Sequence, residues 1–338
     1  MGELVLWRYR QAETLYIPRS RPISGGYRFA RIDRLLKNHC PKIVSRTQRK
    51  HLRKSIVFLA LFVSAPYAWG QWSEPVNLGP NINSGSFEFG QCLTSNEDTI
   101  VFASDRPGGK GSYDLWYSWK EKGEWAPAKN MGDSINTSWN ENSPFLSPDG
   151  RFLYLSSTRP NGPGDYDIYV AERKRGVWQT PICLTYPANT RYSDGWPCLS
   201  RDGTQLYFSS DRPGGKGHLD IWMVEKKNGQ WVNLVNLGDS INQPGWESSP
   251  AISPDGYEFY FRRDTVTQTR PAAIWHAAKR NGVWQNSVRL PPPVNGLMSR
   301  DASPFLSYDG KKLYFNSERE PSLGLSDIFV TEHKGGGP

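Results

Sequence analysis

The sequence predicts an all-β chain folded as a five-bladed β-propeller of four-stranded antiparallel blades, and three observations predict it. A tryptophan returns at a constant interval, as Trp72, Trp125, Trp178, Trp231 and Trp284, each 53 residues after the last. The segments between read as short strands and Gly- or Pro-rich turns, with no helical period. The last copy stops before its fourth strand, while an orphan copy of that strand stands ahead of the first. A fixed period of this kind marks a repeat architecture, in which each unit buries its apolar faces only by stacking on its neighbours.

Other positions keep the same interval. Asn83, Asn136, Asn189, Asn242 and Asn295 do so, as do the acids Glu88, Glu141, Asp194 and Glu247, with Asp301 one residue late.

Ahead of the repeats lies a leader of different composition. Residues 1–54 hold fourteen Lys or Arg and three acids, a net of +11, whereas the whole chain carries +8. The remainder therefore carries about −3, so the basic balance belongs to the leader and is no evidence for nucleic-acid binding by the repeats, of which none is expected. Residues 1–50 read as a basic extension, either a disordered tail or the product of a start codon assigned too far upstream. Residues 51–70 read as a signal peptide: Arg53 and Lys54, an apolar run from Ile56 to Ala65, then Ala68 and Gly70. That run spans about 15 Å as a helix, too short for a bilayer, so the exported chain has no transmembrane span and is periplasmic or secreted. Export would leave Cys92, Cys183 and Cys198, and the repeat places Cys92 and Cys198 at a core position, as buried free thiols.

Within one unit, Ser143 to Leu146 is a short strand ended by Ser147-Pro148-Asp149-Gly150, a sequence suited to a type I turn. A second strand around Phe152 and Tyr154 follows, then a loop from Arg159 to Asp165, then a third strand, Asp167-Ile168-Tyr169-Val170. Lys174-Arg175-Gly176 turns into a fourth strand at Trp178. Four such strands make a propeller blade. Residues 71–78 match the fourth strand that begins at Gln230 and complete the last blade, hiding two open edges. The propeller thus covers residues 71–333, with 334–338 as a tail.

Ser-Pro-Asp-Gly at Ser147 to Gly150 and Ser253 to Gly256, with Leu206 to Gly215 and Leu219-Asp220-Ile221-Trp222, resembles the WD-like propeller repeat of the TolB type. The resemblance implies an envelope protein of bacteria that works by binding another protein or peptide, which is peptidoglycan-associated in TolB itself. TolB has six units, so a six-bladed ring is the alternative fold; this chain has five and no attached OmpA-like domain.

The acids Glu88, Glu141, Asp194, Glu247 and Asp301 fall near one mouth of the central channel. A carboxylate cage for a cation and the carboxylate pair of a glycosidase are the sharp readings. Five equivalent copies argue against catalysis, which needs different carboxylates in different roles. Arg106, Arg159, Arg212 and Arg319 recur with Asp114, Asp167, Asp220 and Asp327, and the fourth copy loses both, at Thr265 and Ala273. The joint loss predicts bidentate Arg–Asp bridges stapling the loop, with the first-strand acid as a third partner. No nucleophile motif, phosphate loop or metal-ligand spacing is present, so no cofactor and no metal are expected.

A single ligand on a monomeric five-fold ring needs residues that break the pattern. The fourth copy breaks it most, with Arg263 and Arg270. Trp196 is bulky where other copies have Gly90, Ser143, Ser249 and Ser303. Trp196, Trp246, Glu247, Arg263, Arg270 and Arg300 are therefore the candidate partner-binding residues. Phe87, Trp139, Tyr192 and Trp246, just before the acids, could anchor a peptide or stack on a sugar. The expected function is a non-catalytic envelope scaffold docking a protein or peptide on the channel-mouth face; the alternative is a carbohydrate-binding or glycan-hydrolysing propeller.

Overall fold

The computed structural model describes residues 72–265 and 271–334. Among them the strands form five antiparallel sheets, one for each 53-residue unit, as the period predicts. Blade one is β2 (Glu88–Leu93), β3 (Thr99–Ser104), β4 (Asp114–Glu121) and an outer strand in two pieces, β5 (Glu124–Trp125) and β6 (Lys129–Asn130). Blade two repeats this with β7 (Glu141–Leu146), β8 (Phe152–Ser157), β9 (Asp167–Lys174), β10 (Val177–Trp178) and β11 (Ile182–Cys183). Blade three has β12 (Asp194–Leu199), β13 (Gln205–Ser210), β14 (Asp220–Lys227) and one continuous outer strand, β15 (Gln230–Asn236). Blade four has β16 (Trp246–Ile252), β17 (Glu258–Asp264), β18 (Ala273–Arg280), β19 (Val283–Trp284) and β20 (Val288–Arg289).

Blade five is β21 (Asp301–Leu306), β22 (Lys312–Ser317) and β23 (Asp327–Glu332), completed by β1 (Val76–Asn77) from the front of the chain. Val76 lies opposite Val330 and Asn77 opposite Phe329, and Trp72 bridges His333. The closing strand is therefore where the sequence places it. The leader, with its basic extension and signal-peptide segment, lies outside the described residues, as do the tail from residue 335 onward and Arg270.

The middle strands are almost wholly buried because each sheet packs face to face against its neighbours. Phe102, Leu155, Phe208, Phe261 and Phe315 are all fully buried. Cys92 and Cys198 are buried free thiols, and burial pushes both up to about 12. Cys183 is free and half-buried.

Each inner strand carries a β-bulge at one place, between Phe89 and Cys92, Asn142 and Phe145, Gly195 and Cys198, Ser248 and Ala251, and Ala302 and Phe305. The residue that opens each bulge has positive φ: Gly90 at 61°, Ser143 at 48°, Trp196 at 53°, Ser249 at 53° and Ser303 at 48°. Four of the five are followed by proline, which has no N–H to leave unpaired. The bulges turn five dipeptides toward the axis and so build the wall of the central site.

Candidate functional site

The loop that enters each blade is stapled on both sides. Its asparagine reaches back to the third strand of the preceding blade: Asn136 Oδ1 accepts Leu115 N–H at 2.9 Å and its Nδ2 donates to Leu115 O at 2.9 Å. Asn83, Asn189, Asn242 and Asn295 do the same with Ile328, Ile168, Ile221 and Ile274. Each amide thus mimics one more residue of a β ladder. On the other side the first-strand acid accepts from the loop backbone, as Glu141 does from Thr137 N–H at 2.7 Å.

The arginines bind these acids and not the loop aspartates. Arg106–Glu88 is 2.9 Å, Arg159–Glu141 3.1 Å, Arg212–Asp194 2.6 Å and Arg319–Asp301 2.7 Å. Each guanidinium also donates to a carbonyl of the entering loop, such as Ile135 O for Arg159 at 2.9 Å, and lies over aromatic rings of its own blade. The expected bridges to Asp114, Asp167, Asp220 and Asp327 are absent among the described residues, and the expected third partner is the real one.

Those aspartates have another task. Asp114 Oδ2 accepts Lys110 N–H at 2.8 Å and Gly111 N–H at 3.1 Å, folding the glycine loop back on itself. A Cβ on Gly109 would stand 2.0 Å from Asp114 Oδ2, so the close approach requires glycine. Asp220 and Asp327 cradle their loops in the same way. The aspartate goes with the glycines and the arginine goes with the acid. Blade four lacks the glycine loop, which explains Ala273 without any Arg–Asp bond.

Nor is the arginine lost there. Arg263 stands where the other blades have Ser104, Ser157, Ser210 and Ser317; Ser104, Ser157 and Ser317 donate to the acid, and Ser210 Oγ accepts from Arg212. Arg263 Nε donates to Glu247 at 2.7 Å, and its Nη2 reaches Ile241 O, the carbonyl equivalent to Ile82 O and Ile135 O. With Arg263 and Glu247 both buried, neither is open to a partner, contrary to expectation. Burial pushes the Glu247 carboxyl up to about 7 against the pull of Gln243 N–H and Arg263. All five first-strand acids are fully buried, so they do not line the channel mouth, and no metal-binding cluster exists among the described residues.

What lines the axis at the acid end of the inner strands is a small well open to solvent. Its wall is the ring of bulges: Gly90-Gln91, Ser143-Pro144, Trp196-Pro197, Ser249-Pro250 and Ser303-Pro304. Phe145 and Phe305 meet across its floor with ring centroids 6.2 Å apart. Beyond them Tyr308 spans the ring to donate to Leu146 O at 3.3 Å, and Arg201 donates to Tyr308 O at 3.0 Å. The well is therefore served from one face.

Trp196 is half-buried in this wall, its backbone N–H donating to Ser156 Oγ at 2.8 Å and its ring 6.1 Å from that of Tyr166. On the surrounding rim Trp246 stacks on His218 at 4.4 Å, and exposed Arg300 lies near Glu318, whose carboxyl burial pushes up against the pull of Arg300 and Arg262. The same face exposes Trp139 to 48%, Leu297 and Met298 each to 85%, Leu323 to 51% and Leu325 to 68%. The sequence reading missed the four aliphatic residues. For Leu297 and Met298 the signal was the extra residue in the last entering loop, which sets Asp301 one place late.

No family model matches the chain, and no curated protein matches it in sequence. Among solved structures it is similar to TolB from Acinetobacter baumannii, at 12% identity over 88% of this chain and 72% of that one, with a TM-score of 0.44. It is similar to an α-L-arabinofuranosidase from Lactobacillus brevis, at 13% identity over 75% and 91%, with a TM-score of 0.49. An endo-arabinase from Bacteroides thetaiotaomicron gives 13% identity over 77% and 97%, with a TM-score of 0.48. These likenesses concern the propeller fold alone.

Proposed function

We propose that this propeller is a non-catalytic binding module of the bacterial envelope, exported through residues 51–70 and docking a protein or peptide on the face that carries the well. One observation carries the reading: the recurrent carboxylates are buried in blade-to-blade staples, while five large apolar side chains stand exposed on the same face. Exposed apolar groups clustered on one face favour association. Hydrolysis of a glycoside by two carboxylates has no support in the well, whose lining includes no carboxylate. Trp246 and Arg300 belong to this rim, and a peptidoglycan-associated protein is the partner the TolB-type resemblance suggests.

The test is affinity capture from envelope extract, with the exported chain as bait. Leu297→Ser with Met298→Ser should weaken capture of the recovered partner at least ~10-fold, about 1.4 kcal/mol. Partner capture unaffected by that pair, or turnover of cell-wall glycans by the purified chain, would refute this docking reading.

A further inference from the structure

The loop that enters blade five closes on itself before it reaches β21. Asp301 Oδ2 accepts Gly296 N–H at 2.8 Å and the Ser299 hydroxyl at 2.9 Å, so both ends of the turn are tied to one buried carboxylate. Arg289 Nη2 adds a bond to Gly296 O at 3.4 Å. A Cβ on Gly296 would stand 2.2 Å from the Ser299 Oγ that Asp301 holds, so glycine permits the closure. Leu297 and Met298 are what remains between the ties, and each is 85% exposed. The turn thus holds a two-residue apolar tip out in solvent.

One atom of that tip has a chemistry the neighbouring aliphatic residues lack. Of the four methionines in the chain, Met1 lies in the leader, while Met131 and Met223 are half-buried and each packs against a hydrophobic core. The thioether open to a dissolved oxidant is therefore that of Met298. The cysteines do not compete with it. Cys92 and Cys198 are buried with their thiols pushed up to about 12, and half-buried Cys183 is raised as well by burial, so none offers a reactive thiolate. Methionine sulfoxide is polar where the thioether is apolar, and the change is reversible by dedicated reductases.

We propose that Met298 is a methionine-oxidation site, through which an oxidant of the peroxide class releases the protein or peptide docked on this face. The inference rests on the docking reading above. A lone pair of the Met298 sulfur attacks one peroxide oxygen; the S–O bond forms as the O–O bond breaks. The proton on the transferred oxygen passes to the departing hydroxide, which leaves as water. Sulfur gives up two electrons and the peroxide takes them. The product places an S–O dipole on a tip that docks through apolar contact, and burying that dipole without a donor opposes association.

Treating the exported chain with hydrogen peroxide and following each methionine by peptide mass spectrometry tests the chemistry. Met298 should convert at least ~10-fold faster than Met131 or Met223. With the peroxide removed, the chain oxidised at Met298 should bind the partner recovered by capture at least ~10-fold more weakly. The two methionine sulfoxide reductases, one for each epimer, should restore that binding. Whatever affinity Met298→Leu has untreated, prior peroxide should leave it unchanged. Equal conversion of the three methionines overturns the proposal, as does peroxide sensitivity that persists in Met298→Leu. The two readings fail separately. Binding indifferent to Leu297→Ser with Met298→Ser removes the docking site and this proposal with it, whereas loss in that pair beside full binding by the sulfoxide removes this proposal alone.

Discussion

At the scale of single residues, a donor present in three loops and missing in the fourth changes the acidity of a buried aspartate. Lys110, Lys216 and Leu323 each give a backbone N–H to the loop aspartate, and Pro163 stands in their place in blade two. Asp167 is left with Gly164 N–H at 3.0 Å and a second oxygen that has no partner. Burial therefore pushes its carboxyl from the ordinary 3.8 up to about 6, with Asp194 and Asp165 adding to the rise. A raised folded value means that the native chain holds the proton more tightly than the unfolded one. Stability should then increase as pH falls from about 6 toward 3.8, and the ionised carboxylate should cost stability above that window. Asp167→Asn is expected to flatten this part of the stability–pH curve, and Pro163→Lys to move its inflection down. Thermal melts between pH 4 and 7 decide it; a wild-type profile in Asp167→Asn would count against it.

At the scale of the element, the entering loop with its asparagine, acid and guanidinium is the unit that joins one blade to the next. Blade four keeps the guanidinium but supplies it from within β17, two residues before the place used elsewhere. Arg263→Ser alone should strand the buried Glu247 and cost about 3–5 kcal/mol. Adding Thr265→Arg, which rebuilds the arrangement of the other blades, should recover most of that loss in urea unfolding. If both variants unfold alike, the two arrangements are not equivalent. Much of this element was legible in the sequence, because a 53-residue period exposes every position that each blade must fill. The pairing inside it was misread. Arg and Asp disappear from the same blade, yet they serve two adjoining structures, and sequence alone cannot separate neighbours lost together. Among the pattern-breaking residues, Trp196 lines the well, whereas Arg263 is buried in the staple it seemed to have left. Burial separates those outcomes, and spacing carries no burial.

At the scale of the whole molecule, the ring is held shut by a strand from the opposite end of the chain. Four blades are built from consecutive segments, while blade five has its outer strand supplied by β1, more than 240 residues from its partner β23 in sequence. The two ends are locked together by more than the ladder. Trp72 is buried at 8% exposure with its ring 5.1 Å from that of His333, Asn77 Nδ2 donates to Asp327 Oδ2 at 2.7 Å, and Asn83 bonds both backbone groups of Ile328. Without β1 the outer backbone edge of β23 would meet water. A chain beginning at Pro80 loses the Trp72 contact and the Asn77 bond while keeping Asn83. Burial of a tryptophan of this size is worth about 3–5 kcal/mol, and each kcal/mol moves the melting temperature of a domain this large by roughly 2–4 °C. The truncated chain should therefore melt about 10 °C or more below the full propeller. It should also expose an edge that promotes aggregation, visible in light scattering. Trp72→Ala should reproduce part of the drop without opening the edge. An unchanged melting temperature in the truncated chain would mean that four complete blades and the incomplete fifth hold the ring without the strand.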